Sequence, residues 1–328
     1  MNSRRKLLVA LGASVIAAPL ASFAQQNKVW RIGFLGAATA QGFARPLDAL
    51  RAGLRELGYV EGKNIVIEYR WADNDYARLP GLAAELVKTN IDVIVTHSTP
   101  GVRAAKQATT TIPIVMAAIG DALAFGVVTS LARPGGNITG TTFFTPEMSA
   151  KRLEIIKDAL PRARRIAVLH NPGNPLGETA LKAMELTAKS LKMELLRFPV
   201  SKPEEFDGAF AAMAAKRIEA LAIFQDPVMT TAANAKTLAN LAAKLRLPSF
   251  GSPDFADAGG LLGYGVSISD MFRRAPYFVD KIFKGDKAGD VPVEQWSKFE
   301  IIVNLKTAKA LGIKLPDLVL QRADRVIE

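Results

Sequence analysis

Ile91–Thr96 reads IDVIVT and runs straight into His97-Ser98-Thr99-Pro100. A strand with one solvated face alternates apolar and polar residues. This one is almost continuously apolar, as a strand covered on both faces of a parallel sheet must be. Pro100–Thr109 then reads as a helix, with proline near the first turn, where its missing N–H costs no hydrogen bond. The same step recurs on both sides. Upstream, Val29–Leu35 is a buried-strand run, and Asp48–Leu57 repeats apolar residues at helical spacing up to Gly58. Asn64–Tyr69 alternates as a strand, and Leu79–Thr89 is an amphipathic helix. Downstream, Ile112–Ala118 is a strand, Ala124–Leu131 is expected as a helix stopped by Pro134-Gly135-Gly136, and Ile138–Thr142 is a short strand.

The rhythm then restarts. Helices are expected at Ser149–Ala159, Gly177–Leu191, Pro203–Lys216 and Thr230–Leu245. Strands are expected at Arg165–His170, Glu194–Val200, Leu221–Phe224 and Pro248–Gly251. Two successive β-α series specify an α/β fold of two doubly wound parallel-sheet lobes. The tail holds one more strand at Leu261–Tyr264, a long helix at Ile268–Lys284 and a last strand at Phe299–Asn304. These elements can complete both lobes, so the chain is expected to cross between them near Thr142, Phe255 and Val291. The first lobe is then 25–142 plus about 255–290, and the second 143–254 plus about 291–328. A multi-crossover hinge between two lobes makes a cleft.

Composition narrows the chemistry. The 328 residues include no cysteine and only two histidines, which removes disulfides, a thiol nucleophile, cysteine-ligated metals and a three-histidine metal site. The formal charge is +11, but the basic residues are not clustered and no module pairs them with aromatics, so no nucleic acid is expected as partner. Arg4, Arg5 and Lys6 precede an apolar run from Leu7 to Leu20, and Ser22-Phe23-Ala24 has the small residues a signal peptidase reads. Residues 1–24 are therefore expected to be a cleavable signal peptide. Ser3-Arg4-Arg5 resembles a twin-arginine signal, and the general secretory route stays open as well. Cleavage takes away three basic residues and no acidic one, lowering +11 to +8. The mature chain is expected in the periplasm.

In open α/β sheets ligands sit beyond the carboxyl ends of the strands. The segments there are Gly36 to Thr39, His97 to Pro100, Gly120-Asp121, Asn171 to Asn174, Gln225-Asp226-Pro227 and Ser252-Pro253-Asp254. Their small, hydroxyl, amide and carboxylate groups suit a small polar solute. Ser98, Asp226 and Asp254 can also be read as helix caps. An α-amino acid would need an anion site, for which Thr39, Ser98, Thr99 and helix N-termini are available. It would also need a carboxylate for its ammonium, for which Asp226 or Asp121 are available. Ala37 would add a backbone contact, and Asn171 and Asp254 complete the polar set. Phe143 and Tyr264, near expected crossovers, could stack on an apolar part of the ligand or pack the hinge. No phosphate loop, nucleophile elbow or paired carboxylates for acid–base work are found. The chain is therefore read as no enzyme, and no catalytic residue, metal or cofactor is expected.

Seven segments, Pro46–Gly62 (PLDALRAGLRELGYVEG), Ser130–Gly140 (SLARPGGNITG), Lys151–Lys157 (KRLEIIK), Arg165–Pro175 (RIAVLHNPGNP), Ala258–Gly265 (AGGLLGYG), Val291–Gln295 (VPVEQ) and Phe299–Gly312 (FEIIVNLKTAKALG), together resemble one family of bacterial solute-binding proteins. That family serves ABC importers and includes the tryptophan/tyrosine-binding type. The resemblance spans essentially the whole mature chain. It implies a type I periplasmic-binding fold, a ligand in the interlobe cleft, an ABC permease with its ATPase as partners, and a protein acting as a monomer. Where the family often has Gly-Asp-Pro, this chain has Gly120-Asp121-Ala122, losing proline's rigidity. Where it often has Pro-Asp, Gln225-Asp226-Pro227 keeps the aspartate. The expected function is capture of an amino acid or an aromatic or carboxylate metabolite for import. A periplasmic ligand sensor for a membrane receptor and an exported α/β enzyme are the alternatives.

Overall fold

From Ile32 onward every residue of β1 (Trp30–Gly36) is buried, as cover on both sheet faces requires. A computed structural model describes residues 28–328; the expected signal peptide lies outside the described residues. After β1 come α1 (Ala44–Glu56), β2 (Ile65–Trp71), α2 (Leu79–Val87), β3 (Val93–His97), α3 (Ser98–Ala108), β4 (Ile114–Gly120) and β5 (Ile138–Phe143). A second series follows: α4 (Thr145–Ala159), β6 (Arg165–His170), α5 (Pro175–Ser190), β7 (Glu194–Pro199), α6 (Phe206–Ala215), β8 (Ala220–Ile223), α7 (Pro227–Thr230), α8 (Ala232–Lys244), β9 (Ser249–Gly251), α9 (Pro253–Asp257) and β10 (Leu262–Val266). The tail adds α10 (Ile268–Phe283), β11 (Glu294–Gln295), β12 (Phe299–Asn304), α11 (Leu305–Leu311), α12 (Asp317–Gln321) and β13 (Arg325–Ile327).

The first sheet has the order β11-β5-β4-β3-β1-β2 and the second β13-β12-β10-β9-β8-β6-β7. Pairing is parallel except between β10 and β12. In each sheet the order turns back beside the opening strand, between β1 and β3 in one and between β6 and β8 in the other. At such a switch point the connections leave on opposite faces and open a crevice beyond the strand ends.

Two expectations are corrected here. The chain passes between the lobes at 144, 267 and 296–298, so the crossovers expected near Phe255 and Val291 both come later. Leu262–Val266 pairs with β9 on one side and β12 on the other, which places 255–266 in the second lobe. Glu294 and Gln295 pair with Thr141 and Thr142, which keeps 291–295 in the first; a two-residue strand leaves no periodicity to read. The helix expected over Ala124–Leu131 is a run of turns. Asp121 and Gly126 both have left-handed backbones, and Lys106 Nζ donates to the carbonyls of Gly126 and Val127, at 2.8 and 3.0 Å, which a continuing helix would use itself.

The first lobe is closed by α10, which returns from the second lobe and lies on α1. Leu47, Leu50 and Leu54 share one core with Phe272, Ala275, Phe278 and Val279. The helices approach closely because Gly53 lacks a side chain: a Cβ there would stand 2.4 Å from the Arg273 carbonyl oxygen. Gly81 in α2 faces open space. Gly53→Ala is therefore expected to lower stability by about 1–3 kcal/mol through overpacking. Gly81→Ala should raise it by roughly 0.5–1 kcal/mol by removing backbone freedom from the unfolded chain. Urea unfolding of the two variants checks both signs.

Candidate functional site

The two switch points face each other. From the first lobe, the end of β3 and start of α3 bring His97, Ser98 and Thr99, with Phe43 before α1 and Phe143 at the end of β5. From the second, the connections after β6 and β8 bring Asn174, Gln225, Asp226 and Thr230. These residues line a space of about 450 Å³ including its open mouth. A wider chamber of about 840 Å³ adjoins it and shares Phe43, Thr230 and Ile268 as walls.

The first-lobe wall is built by a sharp turn. Ser98 has φ +62°, a left-handed backbone that redirects the chain from β3 into α3. The Ser98 Oγ and Thr99 Oγ1 are buried and have no hydrogen-bond partner among the described residues. They sit in the first turn of an 11-residue helix that carries no acidic residue there, so the partial positive charge of the helix start is not neutralised. His97 precedes them. Its Nε2 accepts a hydrogen bond from the Ala37 N–H at 3.2 Å, and its ring stacks on Phe43 with centroids 4.2 Å apart. Burial lowers its pKa to about 3, so the ring is neutral at physiological pH and the proton is on Nδ1.

The second-lobe wall centres on Asp226, which is fully buried. Its Oδ1 accepts from the Val228 N–H at 2.9 Å and from Asn171 Nδ2 at 3.2 Å. Its Oδ2 accepts from Asn174 Nδ2 at 2.8 Å. The Tyr76 hydroxyl, reaching across from the first lobe, lies 3.0 Å from both oxygens. Burial raises the Asp226 pKa, opposed by these hydrogen bonds, and burial raises that of Tyr76. Four donors use essentially all the acceptor positions a carboxylate has. Gln225 next to it has both amide atoms buried without partners among the described residues. At the rim, Arg45 of the first lobe pairs with Asp254 at 3.1 Å and Asp257 at 3.8 Å in the second.

Of the residues expected from sequence, the fold brings Ser98, Thr99, Phe143 and Asp226 to the inner cavity. Asn171 stands behind Asp226 as its donor. Asp254 lines the wider chamber. The other four line neither cavity. The Ala37 N–H is spent on His97, and Thr39 Oγ1 accepts from the Gly42 N–H at 3.1 Å. Asp121 Oδ1 caps a turn through the Ala124 N–H at 3.0 Å. Tyr264 stacks on Phe299, centroids 5.9 Å apart, in the hinge. Asn174 and Gln225 were legible as residues following strands. Phe43, Thr230 and Ile268 come from around helix starts, and no local pattern marks them.

Residues 40–327 match the family described as ABC transporter substrate binding protein. The chain is 29% identical, over 82% of its length and 78% of the relative's, to a tyrosine-binding protein of Clostridioides difficile (strain R20291). An ABC domain from Streptococcus pneumonia in complex with L-Trp superposes with a TM-score of 0.82 at 25% identity, covering 91% of this chain and 99% of that one. A ligand-free, open substrate-binding protein with adhesive properties from Clostridium difficile has the same identity and the same coverages but a TM-score of 0.63. The whole chain therefore superposes more closely on the L-Trp complex than on the open, ligand-free structure.

The buried neutral His97 makes stability depend on pH. The unfolded chain takes up the histidine proton below about pH 6.5, and the folded chain only near pH 3. Stability contributed at neutral pH is lost as pH falls through that window. His97→Gln should flatten urea-unfolding stability between pH 6.5 and 4.5, removing a slope of roughly 1.4 kcal/mol per pH unit.

Proposed function

This chain belongs to the ABC transporter substrate-binding proteins, and from that membership we propose that it captures an amino acid or a related aromatic carboxylate in the periplasm and hands it to an ABC permease. Proteins of this family bind small solutes and work with ABC permeases. The observation that carries the solute class is unspent hydrogen-bonding capacity on one side of the inner cavity. Ser98 Oγ and Thr99 Oγ1 lack partners at a helix start free of acidic side chains. That combination suits a carboxylate, which needs donors and positive potential together. On the opposite side Asp226 brings negative charge. Its acceptor positions are filled by Tyr76, Asn171, Asn174 and Val228. It therefore attracts an ammonium through space and does not offer it a free lone pair. Phe43 and Phe143 provide apolar wall for a side chain. The tyrosine-binding relative and the L-Trp complex support the same class.

Closure joins the lobes through Tyr76 and Asp226 inside and through Arg45 and Asp254 at the rim. A solute that touches both walls shifts the population toward this arrangement. The protein acts as a monomer in this reading, since one chain supplies both walls.

Thermal unfolding of residues 25–328, refolded after denaturation to strip carried solute, is the test against a panel of amino acids and aromatic acids. A true solute at a hundred times its dissociation constant adds roughly 2.7 kcal/mol, a midpoint rise of several degrees. A flat response across the panel overturns the solute class. Thr99→Val keeps shape and removes the hydroxyl, and is expected to weaken the identified solute by roughly 10-fold, as loss of a hydrogen bond to a charged group would. Tyr76→Phe touches no solute, yet it should weaken binding by about 10-fold by destabilising closure. Titration calorimetry reads both.

A further inference from the structure

Arg152 is 2% exposed, and no carboxylate pairs with it among the described residues. Its guanidinium donates to two backbone carbonyls, Ile223 and Tyr264, both at 2.8 Å, and its Nε has no partner. Burial lowers its pKa to about 10, which leaves it charged. An uncompensated buried cation acts strongly on the nearest movable dipole, because little water screens it. A movable dipole on the same side of Gly265 is the Gln225 amide. A Cβ built on Gly265 would stand 3.1 Å from Gln225 Oε1 and 3.6 Å from an Arg152 Nη. Both side chains thus flank one glycine, with no hydrogen bond between them among the described residues, and the amide oxygen is the Gln225 atom on that side. Gly265 itself has φ +153°, a backbone that a side chain would strain. Neither amide atom of Gln225 has a partner among the described residues, and Gln225 lines the inner cavity.

We propose that Arg152 is a positioning residue that holds the Gln225 amide with its oxygen toward the guanidinium and its N–H₂ toward the cavity. The second lobe then offers the solute a donor. The cleft selects carboxylates that carry a further oxygen acceptor, a hydroxyl or a second carboxylate, on the side facing Gln225. This selectivity rests on the inner cavity being the solute site; the orientation of the amide does not.

The orientation is tested without solute. In Gln225→Glu a carboxylate oxygen faces Arg152, and its titration is followed by carbon NMR of a glutamate-labelled protein. A carboxyl held by the guanidinium titrates below the ordinary value of about 4.3. A buried carboxyl without that contact titrates above it, and that result overturns the proposal. A thermal-unfolding cycle of Q225E with R152M adds a second readout, with R152Q in place of R152M should the latter not fold. Q225E should cost several degrees more in the variant lacking the charge than beside Arg152, and additive effects would count against the coupling. R152K, which keeps the charge, should restore part of it. For selectivity the probes are L-tyrosine and L-phenylalanine by calorimetry. The wild type should favour tyrosine by about 10-fold, and Q225E should lose that preference. Binding of both with the preference unchanged in Q225E overturns the selectivity. Binding of neither tells against the solute class proposed above, while the titration still decides the orientation.

Discussion

Asp226 is a carboxyl fully withdrawn from solvent, with no cation paired to it among the described residues. A carboxylate in that position is costly unless its oxygens are filled by hydrogen-bond donors. Here Val228, Asn171 and Asn174 come from its own lobe and Tyr76 comes from the other. Three of the four donors are present whatever the lobes do. The fourth arrives only when they meet. Satisfying one buried carboxylate is therefore tied to the relation between the lobes, and the cavity beside it exists in its enclosed form only in that relation.

Around this joint the remaining polar groups divide by what they have already spent. The Ala37 N–H, Thr39 Oγ1 and Asp121 Oδ1 are committed to the protein's own turns. Ser98 Oγ, Thr99 Oγ1 and the Gln225 amide have no partner among the described residues. A buried polar group without a partner costs free energy, and a solute that supplies the partner recovers it at the moment of binding. Residue type and position at a strand end do not separate the two sets. The count of partners does. The same count applies to Arg152, a cation whose only acceptors among the described residues are backbone carbonyls, lying where the hinge strand β10 and the loop after β8 come together.

Much of the architecture was legible from the chain alone. Runs such as IDVIVT and IPIVMAA are too apolar to have a wet face, and glycines and prolines punctuate the helices between them. That is enough for two parallel sheets, and with the rule that ligands sit beyond strand ends it is enough to nominate Ser98, Thr99 and Asp226, though together with Ala37, Thr39 and Asp121. It was not enough for Ala124–Leu131, whose helical composition yields to the left-handed backbones of Asp121 and Gly126 and to Lys106 taking the local carbonyls. Nor did it place the second and third crossovers, because β10 reads the same whichever sheet it joins and β11 is too short to show a period.

What the sequence by itself determined is what depends on near neighbours: period, burial on both faces, turn residues. Tertiary structure alone decided which strand ends face one another, that Phe43 and Ile268 wall the cavity, that Tyr76 reaches an aspartate 150 residues away, and that Tyr264 packs the hinge. Those are contacts between groups far apart in the chain. Periodicity over a dozen residues carries no information about them, because their geometry is set by how two sheets and three crossings pack together.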